Sequence, residues 1–386
     1  RRRASAVELS AVELVPPPSS LGGQMSAVGS KLELADRVAG ALWGMLIADA
    51  LAMPVHWFYG GSAQIRKAFG GPITGFRQPL QHGGDFPESI MALSSTGGAG
   101  RGASEGDIIG TVINHGKKEL WKRGSGYHYH ATLQAGEATL EGGIARLTMR
   151  SMAVGEGLGF LGSLQQEYVD FMTTPGSHND AYASSYHRLF FQNRARGKPL
   201  HECPSNDGHN VDAIDGLVMP AVVLLGSATA PEAEAREAAQ RTVGLTRSSR
   251  RVESYVGELS STMRSILLGQ PAPEVAHEAA ARVGVRLDPK AQVPVVACYI
   301  EQNWASLLHL LAKHGDDLPA CLLANANAGG ENVHRGLVLG ALVGAQVGAR
   351  AIPDELKRGL RHSAEIEHEI ARFVEARIGM VEACAA

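Results

Sequence analysis

The sequence predicts an all-α protein built as one domain, and three observations lead to this prediction. Apolar residues recur at helical spacing through most of the 386-residue chain, beginning with segment 32–51. The alternation of apolar and polar residues that is typical of strands is scarce. No repeat with a period of about 20–50 residues is present, which excludes a solenoid. We therefore expect one helical domain over residues 31–380, preceded by a flexible segment, residues 1–30.

Each predicted helix has an apolar face or an Ala-rich composition. After segment 32–51, the predicted helices are 232–243, 252–268, 273–283, 293–311, 336–350, 355–360 and 364–378. The start of segment 293–311, VPVVACYI, also fits a strand on local evidence. Small residues lie four apart on one face of segment 336–350 (Gly336, Gly340, Gly344 and Gly348). This face is expected to pack very closely against another helix.

The composition excludes several classes of protein. Lys and Arg total 36 against 39 Asp and Glu, a formal net charge of −3, so no basic field attracts nucleic acid or an anionic membrane. No apolar run is expected to reach the ~20 residues that span a bilayer. The four cysteines are far apart and form no CxxC pair, which indicates the reduced thiols of a cytoplasmic protein. The Arg-rich start leaves import into an organelle open.

Asp49 and His56 are polar residues at the end of an apolar helix, in the stretch GMLIADALAMPVHW (44–57). A buried Asp is costly unless it is paired or bound to a cation. Asp49 is therefore a candidate catalytic residue and His56 a candidate metal ligand. The alternative is an Asp that caps a neighbouring helix or binds loop amides.

A Gly- and hydroxyl-rich stretch, LSSTGGAGRG (93–102), exposes backbone N–H groups that can bind phosphate, and an Arg adds a bidentate donor. The candidate substrate-binding residues here are Ser95, Thr96, Gly97, Gly98 and Arg101. The stretch is neither a Walker A loop nor a dinucleotide-binding GxGxxG motif. The alternative is a plain flexible loop.

Two further polar stretches place His beside Asn and near Asp: TTPGSHND (173–180) and NDGHNVDAID (206–215). Such clusters supply metal ligands or an acid–base pair. His178 and Asp180 in the first stretch are candidate ligands, and Asp180 is also a candidate catalytic residue. The alternative for both stretches is a set of turns and helix caps.

The last polar cluster is NANAGGENVHRG (325–336), where two Gly lead directly into a helix. Glu331 and His334 are three residues apart, which suits a pair of ligands on one helix face, and Glu331 is a candidate catalytic carboxylate. Asn332 and Arg335 lie in the same first turn, where a helix N-terminus favours anions, and are candidate substrate-binding residues. The alternative is a well-capped helix with an acidic first turn.

Taken in order, these motifs resemble the ADP-ribosylglycohydrolase family, which includes dinitrogenase reductase-activating glycohydrolase and the J1-type crystallins. The family opening GxxxGDxxGxxxE corresponds to residues 44–56, and the closing GGDTDT, followed by a Gly/Ala-rich helix and Ile-Pro, corresponds to residues 329–353. The segment 245–271 resembles the family's THxxP…LLxG helix, with Arg247 in place of His. The stretch DGHNVDAIDGLVMPAVVLLG lies where the family has GNGAAMR. The resemblance covers roughly residues 34–360.

The resemblance implies a single orthogonal all-α bundle with two Mg²⁺ ions in a cleft. It also implies a bound ADP-ribose, free or protein-linked, whose N- or O-glycosidic bond at ribose C1″ is hydrolysed. Mg²⁺ prefers a shell of oxygen ligands and polarises hydroxyls and water.

The chain departs from the family where the metal ligands are expected. The usual Glu is His56, the TDDT motif is absent, and the closing motif has Glu331, Val333 and His334. Imidazole favours Zn²⁺, Mn²⁺ or Fe²⁺ over Mg²⁺. We therefore expect one transition-metal site drawn from His56, His178, Asp180, Glu331 and His334. The alternative is a set of surface or loop-capping histidines.

Two functions follow from the resemblance. The first is a hydrolase of ADP-ribosyl or related ribosyl conjugates. The alternative is a catalytically silent protein that binds ADP-ribose or serves a structural role, as the J1-type crystallins do on this scaffold. A fold by itself does not decide between them.

Overall fold

The computed structural model describes residues 20–81, 108–121, 126–155, 157, 159–208, 210–288 and 290–379, with side chains from residue 31 onward. Across these stretches the chain forms fourteen α-helices and no β-strand, and β pairing is limited to isolated bridges. The all-α prediction is confirmed. The domain boundary at residue 31 stays a prediction, since α1 begins at Ser20 and residues 1–19 lie outside the described residues.

The helices are numbered in chain order. They are α1 (Ser20–Ala52), α2 (Gly61–Phe69), α3 (Leu140–Val154), α4 (Phe160–Thr173), α5 (Ser185–Ala195), α6 (Val218–Gly226), α7 (Glu232–Thr246), α8 (Arg250–Leu267), α9 (Ala272–Arg282), α10 (Ile300–His314), α11 (Leu318–Ala328), α12 (Asn332–Val347), α13 (Asp354–Arg358) and α14 (Ser363–Ile378). Short 3₁₀ turns include Met53–Val55 after α1 and Ile214–Leu217 before α6.

Local signals in the sequence fix several helix starts. Thr139 caps α3 by accepting a hydrogen bond from the N–H of Gly142, and Ser249 caps α8 by accepting from the N–H of Val252. Asp317 does the same for α11, where the N–H of Ala320 donates to its carboxylate.

The centre of the domain is the pair formed by α1 and α12, the most extensive contact between helices. Their backbones touch because glycines face each other: a Cβ on Gly340 would overlap the carbonyl oxygen of Gly44, and one on Gly344 would overlap that of Gly40. The close approach expected from the Gly ladder is confirmed. α1 also contacts α3, α6, α8, α11, α13 and α14, so its faces are covered by protein.

The expectation that no apolar run is long enough to span a bilayer is wrong for one helix. Lys31–Val55 is long and apolar enough to cross a membrane by length and composition, but 94% of its most apolar window is buried within the protein. This is the environment of a core helix.

One predicted helix starts later than expected. Helix α10 begins at Ile300, and residues 293–297 form neither helix nor strand, while Tyr299 forms an isolated bridge with Ala213. The backbone of this stretch forms hydrogen bonds with another part of the chain: the carbonyl of Val296 accepts a hydrogen bond from the N–H of Glu331. The stretch therefore supports the turn that leads into α12.

Candidate functional site

A buried polar cluster lies where the chain leaves α1 and enters α12. His56 follows the turn Met53–Val55 at the end of α1, while Glu331 and His334 lie at the start of α12. Glu331 occupies the N-cap position but makes no capping hydrogen bond with its side chain. Its carboxylate is therefore available to the cluster.

Two glycines bring α12 to this place. Gly329 and Gly330 have φ values of 72° and 62°, a region that only Gly adopts readily. A Cβ at these positions would lie 2.5 Å from the carbonyl oxygens of Phe58 and Val296, respectively. The Gly pair thus allows the turn to fit between the chain after α1 and the stretch before α10.

Three possible metal ligands converge at the cluster. Glu331 Oε1 lies 2.9 Å from His56 Nε2 and 2.9 Å from His334 Nδ1. The direction from His334 Nδ1 is unfavourable for a hydrogen bond, so this contact is an ion pair rather than a hydrogen bond. The three candidate ligand atoms lie within 4.8 Å of one another. Two imidazoles and a carboxylate form a donor set suited to a transition-metal ion.

A second carboxylate reaches the cluster through an intervening histidine. His130 Nδ1–H donates to Asp180 Oδ1 at 2.8 Å, and His130 Nε2 lies 2.7 Å from His56 Nδ1. The order of groups is therefore Asp180, His130, His56 and Glu331. All four side chains are at most 1% exposed.

This chain of groups has one contact more than two neutral imidazoles can satisfy. The three contacts are Asp180–His130, His130–His56 and His56–Glu331, and each needs one proton or cation between its two atoms. An ionised carboxylate can only accept a hydrogen bond, so the protons must come from the histidines. A neutral imidazole carries one N–H, so His56 and His130 together supply two. The third contact needs an additional positive charge, either as an extra proton or as a metal ion between His56 Nε2 and Glu331 Oε1.

A neighbouring group shows the balanced case. His187 Nε2–H donates to Glu141 Oε1 at 2.9 Å, and the hydroxyl of Tyr168 donates to His187 Nδ1 at 2.7 Å. Tyr186 donates to the other oxygen, Glu141 Oε2, at 2.8 Å. Each contact has its own proton, and no additional charge is required.

The electrostatics of the cluster are dominated by burial and by the carboxylate at its centre. Burial lowers the pKa of His56 to about 3, although Glu331 opposes this effect. Burial also acts to lower the pKa of His334, but the adjacent Glu331 carboxylate outweighs it and raises that pKa to about 10. Burial would raise the pKa of Glu331, but His334 and His56 hold it well below its usual range. The cluster therefore carries an ionised Glu331.

Trp57 holds the second oxygen of this carboxylate. Its indole N–H donates to Glu331 Oε2 at 2.6 Å. The backbone of Trp57 has φ 59°, an uncommon conformation for a bulky residue, and its N–H donates to the carbonyl of Gly330 at 2.8 Å. Strained backbone of this kind clusters at functional sites. It directs the indole and His56 towards the same carboxylate.

The predicted catalytic residue Asp49 belongs to α1, and its carboxylate contacts the N-cap residue of α3, Thr139. Its Oδ2 accepts the N–H of Thr139 at 2.7 Å, and its Oδ1 accepts the hydroxyl of the same residue at 2.6 Å. Burial raises the pKa of Asp49 to about 6, although these hydrogen bonds oppose the effect. Asp49 thus has the helix-capping contacts of the alternative interpretation, and its catalytic role stays a prediction.

The other predicted residues fall into different places. Asp180 meets the cluster through His130, and its Oδ2 accepts the N–H of Leu140 at 2.8 Å. His178 is not part of the three-residue group; its ring lies 5.8 Å from that of Phe171, and burial lowers its pKa to about 4. The predicted phosphate-binding residues Ser95, Thr96, Gly97, Gly98 and Arg101 lie outside the described residues.

Asn332 and Arg335, the predicted substrate-binding residues, are buried between α11 and α12. Arg335 Nε–H donates to Asn325 Oδ1 at 2.8 Å, and Asn332 Nδ2–H donates to the carbonyl of Ala326 at 2.9 Å. These contacts hold the turn at Gly329 and Gly330. Substrate binding by either residue stays a prediction.

Sequence reasoning missed His130, Trp57 and Glu141 as parts of the site. The stretch YHYH (127–130) carried a signal, because alternating aromatic and His residues are unusual in a polar loop. Trp57 follows His56 directly in sequence, but nothing in the local sequence shows that its indole donates to Glu331, which is 274 residues away. Glu141 is in the first turn of α3, where an acidic residue is also an ordinary helix feature.

The comparisons with known proteins agree with the fold. The sequence model of the family described as ADP-ribosylglycohydrolase matches residues 30–382. Among solved structures, one described as "ADP-ribosylglycohydrolase-related protein complex" is similar with a TM-score of 0.55 and 18% sequence identity. The similarity covers 90% of this chain and 99% of that one. No curated protein sequence matches the chain.

Proposed function

Because the chain belongs to the ADP-ribosylglycohydrolase family, we propose that it hydrolyses the glycosidic bond between the ribose of ADP-ribose and an N- or O-linked acceptor. The substrate is an ADP-ribose conjugate whose acceptor is either a small molecule or a protein. The observation that carries the proposal is the convergence of His56, Glu331 and His334. His56 lies in the segment that matches the family's opening motif, and Glu331 and His334 lie in the segment that matches its closing motif. The remaining polar residues of the site support this cluster.

A pair of Mg²⁺ ions does not fit this donor set. Two of the three converging groups are imidazoles, and Val333 in the closing motif has no donor atom. Mg²⁺ requires a near-octahedral shell of oxygen ligands. The family's two-Mg²⁺ chemistry is therefore not part of this proposal.

A single transition-metal ion fits better, and we include it in the proposal as Mn²⁺ or Zn²⁺. The ion would be held by His56 Nε2, Glu331 Oε1 and His334 Nδ1, with His334 giving up its proton on binding. It would supply the additional positive charge that the His56–Glu331 contact needs. When bound, such an ion acts as a Lewis acid towards oxygen atoms of the substrate. His130 and Asp180 fix the tautomer of His56, as hydrogen-bonded carboxylates do for metal-binding histidines.

The three candidate catalytic carboxylates have different roles in this proposal. Glu331 and Asp180 are held ionised by neighbouring histidines, so they orient and stabilise charge but are weak bases. Asp49, with a pKa raised by burial to about 6, is nearer the range of a general base at neutral pH. Asp49 is therefore the proposed base for the attacking water, and one of its hydrogen bonds to Thr139 would have to open to admit that water.

A silent ADP-ribose-binding protein is the second candidate, and one observation favours it. The side chains of Asp49, His56, His130, Asp180, Glu331 and His334 are at most 2% exposed. A hydrolase must admit both a ribose and a water molecule to these groups, and an ADP-ribose-binding protein must admit the ribose, whereas a protein that uses the fold for structure alone need admit neither. Turnover distinguishes the two candidates.

The test is the release of free ADP-ribose from a panel of Arg-, Ser- and O-acetyl-linked conjugates. Parallel reactions contain EDTA, Mg²⁺, Mn²⁺ or Zn²⁺. The proposal predicts release with Mn²⁺ or Zn²⁺ and none with EDTA. Release that depends on Mg²⁺ would contradict the assigned donor set, and no release under any condition would support the silent alternative.

Replacement of one ligand tests the site itself. Glu331→Gln removes the negative charge that joins His56 and His334, so turnover is expected to fall by at least about 100-fold. The exposed Glu375→Gln on α14 is the matched control and should retain full activity. An unchanged rate in Glu331→Gln removes Glu331 from the mechanism.

A further inference from the structure

Arg188 is a buried cation with no carboxylate counter-ion among the residues that the structure describes. It lies in the first turn of α5, and its side chain has no exposed surface. Its Nη2 donates to Ser185 Oγ at 2.9 Å, while Nε and Nη1 make no hydrogen bond. No ion pair joins it to any carboxylate among the described residues. Asp207 exerts only a longer-range attraction on it.

This arrangement is unfavourable in the ligand-free protein. A guanidinium stays charged under all ordinary conditions, and a buried charge is stable only when it is paired and hydrogen-bonded. Buried donors without acceptors are rare in native proteins and indicate a missing partner. Arg247 shows the usual arrangement, since it is equally buried but forms an ion pair with Asp215.

The acceptors that reach Arg188 are neutral: they are the hydroxyls of Ser185 and Tyr182, and neither carries a negative charge. The guanidinium reaches back to Ser185, the first residue of an 11-residue helix. The N–H groups of a first helical turn have no acceptor within the helix, and they attract anions. The N-cap residue Ser184 does not cap them with its side chain. A free guanidinium and an uncapped helix N-terminus therefore meet at one place.

This place adjoins the His56–Glu331–His334 cluster. Arg188 Cζ lies 5.2 Å from the centre of the Trp121 ring, which stacks on Tyr182 at 6.0 Å. The Tyr182 ring also contacts that of Trp57 at 4.8 Å and lies 6.5 Å from that of His56. Two aromatic rings, Trp121 and Tyr182, thus connect Arg188 to the cluster.

We propose that Arg188 and the N-terminal turn of α5 form a phosphate-binding subsite that takes the diphosphate of ADP-ribose. The anion site stands on the geometry alone, whereas the identity of its ligand rests on the proposed function. A guanidinium and several N–H groups match the acceptor oxygens of a diphosphate. Because Arg188 is fully buried, an anion reaches it only when a neighbouring aromatic side chain, Trp121 or Tyr182, moves aside.

The first test is the stability of the ligand-free protein. Arg188→Met removes an unpaired buried charge and keeps the side-chain volume, so the melting temperature is expected to rise. Arg247→Met is the matched control; it leaves Asp215 buried without a partner, so the melting temperature is expected to fall. A decrease in Arg188→Met as large as that in Arg247→Met would show that Arg188 is structural and would overturn the proposal.

The second test is binding of inorganic pyrophosphate, ADP-ribose and ribose, followed by thermal shift on metal-free protein. Removing the metal prevents a cation at the cluster from holding the anion. Pyrophosphate is expected to raise the melting temperature of the unaltered protein and to bind Arg188→Met at least about tenfold more weakly, with Arg188→Lys between them. Equal shifts in Arg188→Met and the unaltered protein would overturn the anion site.

The same experiment separates this inference from the proposed function. If pyrophosphate binds through Arg188 but ADP-ribose does not bind, the anion site is supported and its assignment to ADP-ribose is wrong. If ADP-ribose binds and its shift is lost in Arg188→Met, while ribose gives no shift in either protein, both the subsite and its ligand are supported.

Discussion

The contact between His56 and Glu331 is the residue-level feature on which the account of the site depends. His56 faces His130 with one ring nitrogen and a carboxylate with the other. If neutral His130 uses its single N–H to donate a hydrogen bond to Asp180, its other nitrogen is an acceptor, and His56 Nδ1–H must donate to it. His56 Nε2 then carries no proton and presents a lone pair to Glu331. A lone pair opposite a carboxylate is repulsive, and a cation placed between them removes the repulsion. The hydrogen-bond network thus prepares His56 as a ligand.

Asp180 is expected to act on metal affinity at a distance. Asp180→Asn weakens the acceptor that fixes the tautomer of His130 and, through it, that of His56. We predict a 10–100-fold loss of Mn²⁺ or Zn²⁺ affinity, about the effect seen when partners of metal-binding histidines are replaced. Competition titration with a chromophoric chelator measures this affinity. The exposed Asp170→Asn on α4 is the control, and equal affinities in the two variants would contradict the relay.

Asp49 leads to a prediction about pH. A carboxyl group whose pKa is raised on folding holds its proton more tightly in the folded state. Its contribution to stability therefore falls as the pH rises from its ordinary pKa of 3.8 to about 6, and it is constant above that range. The full change amounts to about 3 kcal/mol.

Comparison with Asp49→Asn isolates this contribution. The free energy of unfolding, measured with urea at pH 4 and at pH 7, gives the difference between the unaltered protein and the variant. Between pH 4 and pH 7 that difference should shift against the unaltered protein by about 2.4 kcal/mol, because Asp49 is already partly ionised in the unfolded chain at pH 4. A difference that is the same at both pH values would mean that burial does not raise the pKa of Asp49.

At the scale of helices, the contact between α1 and α12 holds the two halves of the site together. His56 follows the end of α1, and Glu331 precedes α12, so the spacing of these helices sets the spacing of the ligands. The helices approach closely because Gly44 and Gly340 present backbone to each other. Interior packing at this density leaves no room for an added methyl group.

Gly340→Ala is therefore expected to destabilise the protein by about 1–3 kcal/mol, because its Cβ would overlap the backbone of α1. Gly244→Ala is the matched control in the last turn of α7, where no atom lies within 4 Å of the added Cβ. It should stabilise by about 0.5–1 kcal/mol through higher helix propensity. Urea unfolding measures both, and equal effects would show that the α1–α12 contact is not tightly packed.

The helices that could be predicted are those whose apolar periodicity is long. α1, α7, α8, α9, α12 and α14 were expected near their observed positions because each buries a regular face. α2 to α6 and α11 were not expected. α2 to α5 lie among Gly-rich and polar segments that obscure the periodicity, and α6 and α11 are short. VPVVACYI looked regular but does not form a helix, because its backbone instead binds residues next to α12. Tertiary hydrogen bonds override local preference there.

The site could be predicted only in part for a related reason. Glu331 and His334 are three residues apart, so the helix period alone places them on one face. His56 is 275 residues away from Glu331, and their side chains meet only after α1 and α12 have packed. The order Asp180, His130, His56 depends on three separate loops, and no local signal encodes it. The resemblance to the family, rather than spacing, brought His56 and Glu331 into one hypothesis.

At the scale of the whole molecule, the chain keeps the family's fold while replacing its oxygen ligands. The all-α bundle and the Gly-lined α1–α12 pair agree with the family match over residues 30–382. The converging groups are instead two imidazoles and one carboxylate. The fold positions the site, and the donor atoms decide which ion it prefers.

The most direct test of this account is the metal content of the protein, purified without chelators and measured by inductively coupled plasma mass spectrometry. We predict about one Mn²⁺ or Zn²⁺ per chain in the unaltered protein, and less than about one tenth of that in Glu331→Gln and His334→Ala. The Glu375→Gln control should retain the full amount. A stoichiometric transition metal lost in both variants would support a cation between His56 and Glu331. No metal in the unaltered protein after incubation with Mn²⁺ or Zn²⁺, or the same content in all variants, would contradict it.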